Sequence, residues 1–176
     1  KNPSYETDVP DIVDKATQVF NKCMEKIPDL YPDTNYVLSY LRNQHTRGRP
    51  LITILFSEGD PVRIEHILQA HKIIENNYFW RIMIKTKSEQ AYKDIKEVGA
   101  GYFRDKYNSK IMPCFFMVGD NLERDIRLAN KVGFNTIYKP SPYKGVEQFI
   151  DSEDIPSYTI TCLKELIRIV KKQRWG

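Results

Sequence analysis

The stretch CFFMVGDNLERDIRLANKVGFNTIYKP, Cys114 to Pro140, decides the reading of this chain. Phe115-Phe116-Met117-Val118 is a continuous apolar run, the pattern of a strand buried on both faces of a parallel sheet. It stops at Gly119 and gives way to Leu122, Ile126, Ala129 and Val132, which recur at helical spacing. Gly133 ends that helix, and Phe134 to Tyr138 reads as a further strand. A strand, a helix and a strand joined this tightly predict a parallel unit. Two carboxylates, Asp120 and Asp125, stand where the first strand meets its helix. They cap the helix, bind something, or do both.

The same alternation extends upstream. Leu51 to Phe56 is a second apolar run, and Ser57-Glu58-Gly59-Asp60-Pro61 is a turn feeding a helix. Asp60 suits the N-cap there and Pro61 the first helical position, with Ile64, Ile67, Leu68 and Ile74 inward. Arg81 to Ile84 is a strand, and Ser88 caps a helix with Ala91, Tyr92, Ile95 and Val98 inward, closed by Gly99 and Gly101. Nearer the start, Ile12, Ala16, Val19, Phe20, Cys23 and Ile27 share one face of a helix over Asp11 to Ile27, which Pro28 and Pro32 break. Asp33 caps a second helix with Val37, Leu38 and Leu41 inward, and Arg49-Pro50 follows it. Downstream, Pro140 to Pro156 is the longest irregular stretch. Tyr158 to Ile160 is a short strand, and a last helix runs from Leu163 to Lys172. The expected fold is α/β, a Rossmann-like parallel sheet with helices on both faces.

The totals fit one ordinary globular domain: 176 residues, 41% hydrophobic and 28% charged. A net charge of +4 is mild. The one basic cluster, Lys171, Lys172 and Arg174, sits where a helix C-terminus favours cations, so nothing calls for nucleic acid. Cys23, Cys114 and Cys162 form no CxxC pair, which points to a reduced, cytoplasmic protein. No apolar stretch approaches the roughly 20 residues of a membrane span, and no signal peptide is visible.

In an open parallel sheet, ligands bind beyond the carboxyl ends of the strands. Three polar turns fall there: Ser57-Glu58-Gly59, Lys85-Thr86-Lys87, and Gly119-Asp120 through Asp125. A hydroxyl with backbone N–H groups can hold a phosphoryl oxygen, a lysine can neutralise an oxyanion, and two carboxylates suit Mg²⁺. Each also has a plain alternative. Asp120 with Glu123 has capping-box spacing, and Asp125 is a first-turn acid favoured by the helix dipole. Ser57 can be a polar strand end, and Lys85 and Lys87 solvated surface charges.

Taken together the turns resemble the motifs of the haloacid dehalogenase-like (HAD) superfamily, mostly Mg²⁺-dependent phosphatases. MVGDNLERDIRLANKVGFNTIYKP is similar to that family's fourth motif, G-D-x-x-x-x-D followed by a helix and a strand. LITILFSEGDPVRIEHILQAHKI resembles the second motif, a strand ending in Ser or Thr. KSEQAYKDI resembles the segment after the third-motif lysine, which favours Lys87 over Lys85, and LYPDTNYVLSYLRN resembles the helix leading into the second motif. The similarity covers roughly Leu30 to Val170. It implies a phosphorylated small-molecule substrate, with Ser57 and Lys87 catalytic and the phosphoryl group held by Ser57, Glu58, Gly59 and Lys87. It also implies Mg²⁺ positioned by Asp120 and Asp125.

The family's nucleophile is an aspartate in a D-x-D pattern on a central strand that precedes these motifs. Asp8-Val-Pro-Asp11 has the wrong spacing and follows no apolar run. Residues 1–30 resemble instead the end of a helical cap region, with the HAD-like core over 31–176. The chain opens at Lys1. The resemblance therefore implies a nucleophile strand upstream, or a second chain completing the sheet, because a parallel sheet without its central strand exposes two unpaired edges. The alternative is a noncatalytic HAD-like binding or scaffold protein.

Overall fold

The structure, a computed structural model, describes residues 9–46, 51–107, 113–143 and 151–173. Asp8, Arg49-Pro50, Arg174 and part of the irregular stretch between Pro140 and Pro156 lie outside the described residues. The chain divides into two units. The smaller comprises Lys1–Leu30 and Gly59–Asn76, the larger Tyr31–Glu58 and Asn77–Gly176.

The smaller unit carries α1 (Val9–Glu25) and α3 (Pro61–Ala70). Asp60 caps α3 as expected: its Oδ1 accepts the Arg63 N–H at 2.8 Å, and Pro61 opens the first turn. His71, just past α3, bonds the Pro28 carbonyl through Nε2 at 2.8 Å. Ile12, Val19 and Phe20, at helical spacing on α1, are all exposed.

Among the described residues the larger unit holds five strands, and every pairing is parallel. β1 (Ile54–Ser57) pairs with β2 (Arg81–Ile84), with Ser57 opposite Ile84. β3 (Phe116–Gly119), β4 (Asn135–Tyr138) and β5 (Tyr158–Thr159) form a second sheet in that order, with Gly119 opposite Tyr138. Helices cover both faces of this second sheet. On one, Val37 of α2 (Thr34–Thr46) and Leu166 and Ile167 of α6 (Glu165–Gln173) bury Ile137 and Ile160. On the other, Tyr92 and Ile95 of α4 (Glu89–Tyr107) and Ala129 of α5 (Leu128–Lys131) pack with Phe134. The mixed α/β architecture with parallel strands and helices on both faces is the one expected.

Several details differ from the expectation, among them the start of β1 at Ile54 and the exposure of Ile74. The single sheet is in two pieces, because among the described residues β1 has a strand partner only in β2, and β3 only in β4. The helix begun at Ser88, whose Oγ accepts the Ala91 N–H at 3.1 Å, does not close at Gly99 and Gly101 but runs to Tyr107. Gly99 serves close packing instead: a Cβ there would lie 2.8 Å from the Phe115 ring. β3 and β4 also begin one residue later than the apolar runs suggested, which leaves Cys114 exposed ahead of β3.

Between the two sheets lies a cavity of about 910 Å³. Phe56 of β1 and Val118 of β3 line its sides, Leu41 and Leu166 one helical wall, Ile95 and Phe103 the other. Val118 is 38% exposed, although the adjoining strand β4 is largely buried. The slot therefore has apolar walls on both faces and a parallel strand on each side.

Candidate functional site

The carboxyl ends of β1, β2 and β3 are tied together by a small set of ionic contacts. Lys87, three residues beyond β2, donates from Nζ to Asp125 Oδ1 at 2.5 Å. Asp125 is buried, its side chain 3% exposed, and Lys87 is partly buried at 13%. The second Asp125 oxygen, Oδ2, accepts the backbone N–H groups of Asp120 and Asn121, each at 3.1 Å. One carboxylate thus fixes both the lysine and the turn after β3.

Glu58, just past β1, makes the matching link. Its Oε1 accepts the Lys87 backbone N–H at 2.6 Å and its Oε2 accepts from Arg124 at 2.8 Å. Burial alone would raise the Glu58 carboxyl, but the Lys87 N–H and the Arg124 guanidinium outweigh it and hold the group below its ordinary value. Tyr92 packs beneath, its hydroxyl donating to the Arg124 carbonyl at 2.9 Å. Burial first, and then the charges of Asp125 and Glu58, push that phenol far up, so it stays neutral.

The turn after β3 is built for this arrangement. Leu122–Arg127 winds as a π-helix before passing into α5, with the Ile126 N–H reaching back to the Asn121 carbonyl at 3.2 Å. Such widened turns recur at functional sites. Here it carries the Asp125 carboxyl back over Gly119, so closely that a Cβ at 119 would run into the Asp125 side chain. The N-cap is Asn121, whose Oδ1 accepts the Arg124 N–H at 2.8 Å. Asp120 does not occupy the cap position that its spacing from Glu123 suggested. Asp125 is a first-turn acid, as its position suggested, but a buried one that serves as the hub of the turn.

The two candidate lysines separate cleanly. Lys85 pairs with Asp94 of α4 at 2.7 Å, both side chains well exposed, whereas Lys87 turns inward to Asp125. Ser57 ends β1, and its carbonyl accepts the Lys85 N–H at 2.9 Å. Gly59 belongs to the smaller unit. The structure thus brings Glu58, Lys87 and Asp125 into one cluster, with Ser57 and Asp120 at the strand ends beside it. The Glu58 side chain and Arg124 had not been singled out from sequence. A signal existed, since Arg124 is the one basic residue between the two aspartates. Among the described residues no group of three or more His, Cys, Asp or Glu is placed to hold a metal ion. Nor is any helix long and apolar enough to cross a membrane.

Solved structures with the same arrangement of strands and helices decide the fold. The chain has the haloacid dehalogenase-like fold. A haloacid dehalogenase-like family hydrolase from Xanthomonas campestris superposes with a TM-score of 0.65 at 15% identity over 96% of this chain. A Bacillus subtilis protein described as a HAD-hydrolase bound to magnesium gives 0.59 at 17% identity over 81% of the chain. A HAD phosphatase from Thermococcus onnurineus gives 0.54 at 19% identity over 81%. The chain spans 66%, 56% and 58% of the lengths of these three structures. No family model matches the sequence, and no curated protein matches it.

Proposed function

We propose that this HAD-like chain forms the core of a Mg²⁺-dependent phosphatase acting on a phosphorylated small molecule. The observation that carries the reading is the Lys87–Asp125 pair, which bridges the carboxyl ends of two sheets beside an open apolar slot. A purely structural ion pair has no need of that position, at the edge where parallel sheets bind ligands. Of the three donors on the Lys87 ammonium, Asp125 takes one. The others are available to a phosphoryl oxygen, where the lysine offsets charge that builds up in the transition state. The Ser57 hydroxyl would hold a second oxygen, helped by the Glu58 N–H group.

The donor set suits Mg²⁺, which uses one or two carboxylates and keeps several waters. Asp120 and Asp125 share one turn, and Asp125 already accepts three hydrogen bonds. Both would hold the ion, Asp125 while keeping the turn in shape through those hydrogen bonds. When bound, the ion would offset negative charge on the phosphoryl oxygens.

The nucleophile is assigned to a strand filling the slot between β1 and β3. Neighbouring strands stand about 4.8 Å apart, so one strand inserted there joins the two sheets into one. Its apolar side chains would meet Leu41 and Leu166 on one face and Ile95 and Phe103 on the other. An aspartate at its carboxyl end would emerge between Ser57 and Asp120. That strand is expected upstream of Lys1.

The test uses the complete gene product and p-nitrophenyl phosphate. Phosphate release that needs Mg²⁺ and is abolished by EDTA supports the enzyme. No release, from a protein whose slot is filled by an aspartate-bearing strand, would favour the noncatalytic binding role instead.

A further inference from the structure

A second lysine, this one buried, stands at the same edge of the sheet. Lys139 follows β4 and donates its backbone N–H to the Gly119 carbonyl at 2.9 Å. It therefore lies one residue past the Gly119–Tyr138 pair of the ladder, as Asp120 does on the neighbouring strand. Lys139 is only 8% exposed, and its ammonium sits 3.6 Å from the centroid of the Tyr31 ring. Among the described residues no carboxylate lies within ion-pair distance of it, whereas Lys85, Lys87 and Lys131 all have one.

Burying an ammonium is costly unless an anion meets it. The face of a tyrosine compensates only in part, but it fixes the ammonium in one position. A pinned, desolvated cation one ladder step from Asp120 has the properties of an anion receptor. A surface lysine with the same sequence neighbours would have neither the burial nor the fixed geometry.

We propose that Lys139, held by Tyr31, recognises a second anionic group on the substrate, a carboxylate or a further phosphate close to the phosphoryl group. The inference rests on the phosphatase reading of the neighbouring turn and narrows the substrate to short phosphomonoesters bearing another negative charge. Lys87 then serves the group being transferred, and Lys139 the part of the substrate that leaves.

Non-hydrolysable probes test this without depending on turnover. Calorimetric titration of the complete protein, with Mg²⁺ present, compares ethylphosphonate, phosphonoacetate and methylenediphosphonate. The first carries the phosphonate alone, the second adds a carboxylate, and the third adds a second phosphonate. One charge-assisted contact predicts that the wild type prefers a doubly anionic probe over ethylphosphonate by about tenfold. Whichever of the two is preferred names the group. Lys139→Met should abolish the preference and leave ethylphosphonate affinity unchanged, and Lys139→Arg should keep most of it. Lys87→Met should weaken all three probes.

A preference that survives Lys139→Met overturns the inference and leaves the phosphatase reading standing, as does a wild type with no preference. Equal weakening of all three probes by Lys139→Met also overturns it, since that is the mark of a structural lysine. If the wild type binds none of the probes, the phosphoryl site fails and this inference fails with it.

Discussion

Lys87 Nζ lies 2.5 Å from Asp125 Oδ1, and this contact joins the ends of two sheets that share no strand pairing among the described residues. Lys87 follows β2 and Asp125 follows β3, so the pair spans the mouth of the slot. Removing the lysine should leave a buried carboxylate short of one partner and strip the proposed phosphoryl site of its cation. Lys87→Ala in the complete enzyme is expected to cut turnover by about a hundredfold or more, since one such electrostatic contact is worth on the order of 3 kcal/mol in the transition state. Lys87→Arg should rescue little, because the guanidinium is wider than the ammonium. Lys85→Ala is the control. Its exposed bridge to Asp94 is of the kind that contributes little, so rates with p-nitrophenyl phosphate should hardly change.

Gly119 gives a prediction about stability. A Cβ there would overlap the Asp125 side chain, so Gly119→Ala must push the Asp125 carboxyl away from Lys87 and from the Asp120 and Asn121 N–H groups. Overpacking of this kind costs roughly 1–3 kcal/mol, to be read from denaturant midpoints. The cost should not add to that of Asp125→Ala, because removing the carboxylate makes room for the new methyl. Simple additivity of the two would show that residue 119 does not touch Asp125.

The acid side of the stability curve tests Glu58. Its carboxyl is held below its ordinary 4.5 because the Lys87 N–H and Arg124 favour the charged form more than burial opposes it. A lowered pKa means the contribution is fully present above the unfolded value. It is lost as pH falls from about 4.5 through the lower folded value. Between neutral pH and pH 3 the wild type should therefore lose more stability than Glu58→Gln. Parallel unfolding curves for the two proteins over that range would remove Glu58 from the ionic cluster.

How much of this was legible beforehand depends on the type of signal. Apolar runs placed every strand to within a few residues, and Asp60 and Ser88 announced their caps, because those signals are local. The motif resemblance favoured Lys87 over Lys85, and Lys87 is the one that pairs with Asp125. Other features were not legible, because they depend on packing between distant segments. Gly99 and Gly101 look like a helix stop, yet α4 runs through both, and at Gly99 the Phe115 ring takes the place of a side chain. Glu58 looks like a turn residue until Lys87 and Arg124 close on it. Lys139 looks like a solvated charge until Tyr31 covers it. Periodicity cannot say which strands pair, so the pairing of β1 with β2 and of β3 with β4 emerged only in three dimensions.

The last prediction separates metal binding from capping in the turn after β3. Spacing alone allowed Asp120 to be a helix cap, but Asn121 holds that role, accepting the Arg124 N–H at 2.8 Å. The two residues should therefore fail in different ways. Asn121→Ala removes the cap and should cost about 1 kcal/mol of stability, the usual value for such a loss. Asp120→Asn keeps the shape and loses the charge that a hard cation needs. Its unfolding midpoint should stay close to wild type, while the Mg²⁺ concentration required for half-maximal phosphatase activity should rise by about tenfold or more, the equivalent of 1.4 kcal/mol. Titrating Mg²⁺ into both variants, alongside thermal unfolding of each, gives the comparison. If Asp120→Asn instead lowers stability as Asn121→Ala does and leaves the Mg²⁺ dependence untouched, Asp120 belongs to the architecture of the turn, and the metal assignment falls.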